Sequence, residues 1–174
     1  MIKTFYELRE KASILDIFKN LYPDNKIIEE INPKTGIKLY KTFSPFLNSN
    51  SKLEQLYLSE LSVYGPGYFD FDTGKRGFIP NLLVEYFQEE NSLHQIKKYE
   101  KSLNYLFEKF NLTLNKKEEK TFLKEFEEIY LRGFDFYYIP IFEQSLLANN
   151  STPLKDGSWV NYYTDKWEGW NQID

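Results

Sequence analysis

The chain has 174 residues, 41% of them hydrophobic and 28% charged, and its 22 Lys and Arg against 26 Asp and Glu give a formal charge of −4. That composition supports a sizeable core and excludes a disordered acidic segment. The absence of cysteine excludes disulfides, cysteine-bound zinc, iron–sulfur clusters and thiol nucleophiles, and a single histidine, His94, leaves no partner for a histidine metal site.

Apolar residues at Phe5, Leu8, Ala12, Leu15 and Phe18 predict one helix over Thr4 to Tyr22, with Thr4 and Glu7 at the spacing of a capping box. Pro23-Asp24-Asn25 ends it. Ile27 to Ile31 and Ile37 to Phe43 flank Asn32-Pro33-Lys34-Thr35-Gly36, which predicts a β-hairpin with a five-residue loop. Ser44 to Ser51 reads as a loop, and Leu53, Leu56, Tyr57 and Leu61 predict a short helix after it.

The stretch from Tyr64 to Phe78 holds four of the chain's eight glycines and predicts tight turns around a short strand, Tyr68 to Asp72. Pro80 fits the first turn of a helix running to about Glu90. Further helices are predicted from Leu93 to Phe110 and from a start at Asn115, where Glu118 completes a capping box, to Gly133. Phe134 to Leu147 fits strand or helix equally, Asn149 to Gly157 is a loop, and Ser158 to Trp170 is a tryptophan-rich tail.

The expected architecture is a single α+β domain with an N-terminal helix, a small antiparallel sheet or hairpin and a mainly helical second half. Residues 1–90 carry the hairpin and the Gly-rich loop region, and 91–174 the helical region with the tail.

The Gly-rich stretch has neither the P-loop spacing nor that of a dinucleotide fingerprint, because six residues separate Gly67 from Gly74 and Arg76 follows Lys75. Along an extended Tyr68 to Asp72, the carboxylates of Asp70 and Asp72 would share one side. They read either as a solvated face beside Lys75 and Arg76 or, with a third acid such as Glu85, Glu89 or Glu90, as a divalent-ion site. His94 reads as an exposed helix residue or as a general base oriented by Glu90.

The order Ser44-Pro45-Phe46, then Tyr68-Phe69-Asp70-Phe71-Asp72-Thr73-Gly74-Lys75-Arg76-Gly77, then an apolar helix, resembles the zinc-ribbon domain of bacterial primases over residues 13–88 at most. The resemblance implies a role in nucleic-acid transactions. The cysteines of that family are absent here, so its zinc does not carry over.

Mixed charge runs such as Lys116-Lys117-Glu118-Glu119-Lys120 read as solvated helix faces. With net charge −4 and three arginines, direct duplex binding is not expected. The tail packs Trp159, Trp167 and Trp170 into twelve positions, which suits either a segment that closes the core or an aromatic interface.

These features together predict a non-enzymatic protein-binding module, a small inhibitor or immunity-type protein that masks a basic enzyme or toxin. Its partner-binding residues would be Tyr64, Tyr68, Asp70, Asp72, Lys75, Arg76, Trp159, Trp167 and Trp170, with no catalytic residue, metal or cofactor. The alternatives are the nucleic-acid accessory and a metal-assisted hydrolase or phosphotransferase using Asp70 and Asp72. MIKTFYELRE has no continuous apolar segment, and the longest apolar stretch, Phe136 to Phe142, is far short of the roughly 20 residues that span a bilayer. A cytoplasmic protein without membrane contact is expected, from a bacterium or phage by its Lys-, Asn- and Ile-rich composition.

Overall fold

In the computed structural model, the structure describes residues 1–31, 33, 36, 38–46, 53–60, 66–89 and 98–136. Among these residues, five helices and a five-stranded antiparallel sheet make an α+β arrangement in which two helices precede the strands and three follow them.

The N-terminal segment forms two helices, α1 (Phe5–Lys11) and α2 (Ile14–Leu21), where a single one was expected. The break is chemical. Ala12 and Ser13 are extended, and the Ser13 hydroxyl accepts from the Asp16 N–H at 3.1 Å to start a new helix. The Glu60 carboxylate then anchors that start, accepting from the Ser13 hydroxyl and from the Ile14 N–H. The hydrophobic spacing conceals the break because residues on both sides of it are buried.

The predicted hairpin is present as β1 (Ile28–Ile31) and β2 (Lys38–Thr42), with Ile31 opposite Lys38 and Ile28 opposite Lys41. β3 (Leu56–Ser59) replaces the short helix expected there. Leu53, Leu56, Tyr57 and Leu61 fit helical spacing, but Leu56 and Leu58 are fully buried with Tyr57 half-buried between them, the alternation of a strand. β4 (Gly67–Asp70) and the three-residue β5 (Arg76–Phe78) complete a meander in which each strand pairs with its chain neighbour.

α3 (Ile79–Phe87) follows β5 directly, with Pro80 in its first turn as predicted. α4 (Glu100–Lys109) and α5 (Lys116–Gly133) follow; the expected start of the third helix at Leu93 lies outside the described residues. The capping box at Asn115 forms, since Asn115 Oδ1 accepts from the Glu118 N–H at 2.8 Å and Glu118 accepts from the Asn115 N–H at 2.9 Å.

Direct partners across a sheet share a face. Tyr40, Leu58, Tyr68 and Gly77 make one such row, and Leu58 and Tyr68 are buried in it. From Tyr68 the aromatic contacts run to Phe46 at 5.8 Å, on to Tyr22 at the end of α2 at 6.2 Å, and to Tyr86 of α3 at 5.3 Å. A second aromatic nucleus joins the helices, where Phe5 meets Phe122 and Phe126 edge-on and Tyr99 meets Phe126. Apart from Tyr86, which is exposed, the aromatic side chains of both groups belong to one hydrophobic cluster. No helix among the described residues is long and apolar enough to cross a membrane.

Candidate functional site

The β4–β5 turn gathers Asp70, Asp72, Lys75 and Arg76, and its geometry gives each a different role. β4 ends at Asp70, and Phe71 to Thr73 form a turn, so Asp70 and Asp72 do not lie side by side along one strand. Asp70 is fully buried. Its carboxylate accepts from the Asp72 N–H at 3.1 Å, from the Thr73 hydroxyl at 2.5 Å and from the Ser44 hydroxyl at 2.6 Å. A buried carboxylate with three donors is a turn anchor, which an Asx-type bond to the residue two positions on provides economically. Gly74 closes the turn at φ +80°, a conformation that glycine adopts without steric cost.

The adjacent cations diverge. Lys75 reaches across to α3 and pairs with Glu85 at 2.5 Å. Arg76 lies over the Phe69 ring, 4.6 Å from its centroid, and its Nε donates to the Gly74 carbonyl at 3.2 Å. The two side chains therefore have different partners, although both residues border the cleft described next.

The first surface is a cleft of about 450 Å³ between the β4–β5 turn, α3 and the end of α5. Tyr68, Lys75, Arg76, Glu85, Glu89, Tyr130 and Phe134 line it, together with Asn81, Val84 and Gln88 of α3 and the turn glycine Gly74. Glu85 is its electrostatic centre. Burial pushes the Tyr68 phenol well above its ordinary value, and the Glu85 charge adds to that; Tyr22 and Tyr130 are raised by the same two causes in the same order. Glu89 is held at the start of α4, where it accepts from the Lys101 N–H at 2.8 Å, the Ser102 N–H at 3.3 Å and the Ser102 hydroxyl. That placement opposes a carboxylate to the positive helix end.

The second surface is the other face of the sheet. Lys41, Tyr57, Phe69 and Arg76 stand directly opposite one another across β2 to β5, a row of two aromatic rings bracketed by two cations. Phe71, 44% exposed, joins it, with its ring 4.6 Å from Phe69 and edge-on to Tyr57 at 5.5 Å. Lys41 pairs with Glu30 at 2.5 Å, which raises its pKa, and Glu54 adds to that shift. One step along the same face, Gly67 and Phe78 are covered by Phe136.

Of the residues singled out in the sequence, Tyr68, Lys75 and Arg76 line the cleft, Asp70 and Asp72 belong to the turn, and Tyr68 and Asp70 are buried. Tyr64, His94, Trp159, Trp167 and Trp170 lie outside the described residues. Among the described residues no three His, Asp or Glu side chains converge on a metal position, and Glu85 and Glu89 have the partners given above. Sequence reasoning missed Tyr130 and the row at Lys41 and Tyr57; the alternation in Leu56-Tyr57-Leu58 is the signal that exposes the latter. Comparison with protein families, with curated proteins and with solved structures found no match.

Proposed function

We propose that this chain is a non-enzymatic protein-binding module of the inhibitor or immunity kind, which acts by covering a basic enzyme or toxin. The supporting observation is the aromatic patch of Tyr57, Phe69 and Phe71 on a strand-borne face. Rings that brace one another through Phe71 offer large contact area at little conformational cost, which is the character of interface hot spots. The acidic balance of the chain, −4 overall, favours encounter with a positively charged partner. The polar groups nearest the patch are spent on the fold: Asp70 on its turn and Glu30 on Lys41.

A role as an accessory in nucleic-acid transactions is the second reading. Lys41 and Arg76 flank the two rings in register, an arrangement suited to stacking single-stranded bases beside a backbone. The hydrogen bond from Ser44 to Asp70 also ties together the two parts of the primase-like pattern.

Affinity capture from a bacterial lysate with the full chain and with Phe71→Ala, before and after nuclease, separates the two. A basic protein retained by the unaltered chain after nuclease and lost by the variant supports the inhibitor reading. Nucleic acid recovered with the chain, and lost at high salt, moves the assignment to the second.

A further inference from the structure

We propose that the cleft between the β4–β5 turn, α3 and α5 takes an organic cation, an alkylammonium or guanidinium group, which displaces Lys75 from Glu85. The inference deepens the protein-binding reading and rests on it for one source of ligand, a lysine or arginine side chain of a basic partner. The other source with the same chemistry is a free polyamine.

Four observations carry it. The space, about 450 Å³, is that of a small-molecule site. Its walls include the rings of Tyr68, Tyr130 and Phe134, and aromatic faces attract ammonium and guanidinium groups. The Tyr130 ring already has the Lys98 ammonium 5.9 Å from its centroid.

Charge is the second point. Two carboxylates, Glu85 and Glu89, line the space beside Lys75 and Arg76, and the Arg76 guanidinium is drawn over the Phe69 ring.

Third, the site already binds the group proposed. Glu85 holds an ammonium at 2.5 Å, supplied by the chain itself, and the pair is partly solvated, with Lys75 36% and Glu85 29% exposed. Exchange of one solvated ammonium for another costs little, because such pairs are weak.

Fourth, Tyr68 is 2% exposed and lines the cleft, yet no hydrogen bond among the described residues engages its hydroxyl. A phenol kept neutral by burial and by Glu85 offers an oxygen to an incoming N–H. Glu89, bound to the start of α4, supplies charge without having to move.

The test is a titration of the full-length chain with butylammonium and butylguanidinium, with butyrate as the control of opposite charge, followed by NMR or calorimetry. The expected result is millimolar binding of both cations, weakened roughly fivefold by Glu85→Gln and strengthened by Lys75→Met, with no binding of butyrate. Melting curves confirm that each variant is folded, and Tyr68→Phe, which removes only the hydroxyl, replaces Glu85→Gln if that variant unfolds. Equal binding by the unaltered chain and the variants, or no cation bound by Lys75→Met, overturns the proposal.

Titration with a lysine- and arginine-containing peptide and with spermidine tells the sources apart, the tighter ligand naming the source. Cation binding without any captured protein would refute the protein-binding reading and leave the cleft's. Protein capture that survives in Glu85→Gln, with no cation bound by Lys75→Met, would do the reverse.

Discussion

Gly133, the last residue of α5, lies so close to the carboxamide of Asn81 in α3 that a β-carbon there would overlap it. The glycine ends its helix as expected, without a positive φ, and close approach is what demands it. Gly77 of β5 meets the same carboxamide from another side. Asn81 is buried between them, accepting from the Phe78 N–H at 3.0 Å and donating to the Tyr130 carbonyl at 2.9 Å.

Removing that carboxamide strands two buried backbone groups. Asn81→Leu is expected to destabilise the fold by about 2–4 kcal/mol, from roughly 1–3 kcal/mol per unsatisfied group, as read from urea unfolding. Gly133→Ala should be destabilising alone and much less so combined with Asn81→Ala, because the smaller side chain removes the overlap. An additive double-mutant cycle would contradict this contact.

Asp70 and Asp72 separate by role. Asp70→Ala leaves the Thr73 and Ser44 hydroxyls and the Asp72 N–H without their acceptor, and a loss of about 2–4 kcal/mol is expected. Asp72→Ala should change stability by less than about 1 kcal/mol. Equal effects in thermal unfolding would mean that the turn is not built on Asp70.

Alkaline pH should unfold the protein cooperatively. Tyr22, Tyr68, Tyr99 and Tyr130 all have pKa values raised above 10.0, with burial as the leading cause. Tyr105 is pushed up to about 12 in the same way. A raised folded pKa gives stability that is complete below the unfolded value and lost as pH climbs toward the folded one, because the unfolded chain releases its protons first. Stability should therefore be level up to about pH 10 and fall steeply above it. Tyrosinate absorbance that rises gradually around pH 10, with no accompanying loss of circular dichroism, would show these phenols to be accessible.

Phe71 contributes surface more than core. Phe71→Ala is expected to cost at most about 1 kcal/mol of stability, as a substitution at a half-exposed turn position, while weakening partner capture by about 2 kcal/mol if the aromatic patch is a hot spot. A variant that melts far earlier than the unaltered chain would place Phe71 in the fold rather than in recognition.

Where a local signal was decisive, the structure was legible. Asn32-Pro33-Lys34-Thr35-Gly36 located the hairpin, Pro80 the start of α3, and Asn115 with Glu118 the start of α5. Elements that depend on tertiary partners were not. Leu53, Leu56, Tyr57 and Leu61 have helical spacing, yet Leu56–Ser59 is a strand because β2 and β4 supply its ladder. β5 has three residues centred on a glycine, too few to show a period. The site followed the same division: Lys75 and Arg76 stood out as a pair, but only the register sends one to Glu85 and the other over Phe69.

The contacts of α1 set an order of assembly during synthesis. Every strand pairs with its chain neighbour, so the sheet can close as soon as its own residues have emerged. Phe5, by contrast, packs on Phe122 and Phe126, and its N–H is received by Glu125 at 3.0 Å, 120 positions away. The first helix made should be the last to find its seat, left open to proteases on any nascent chain stalled before α5 has cleared the ribosome.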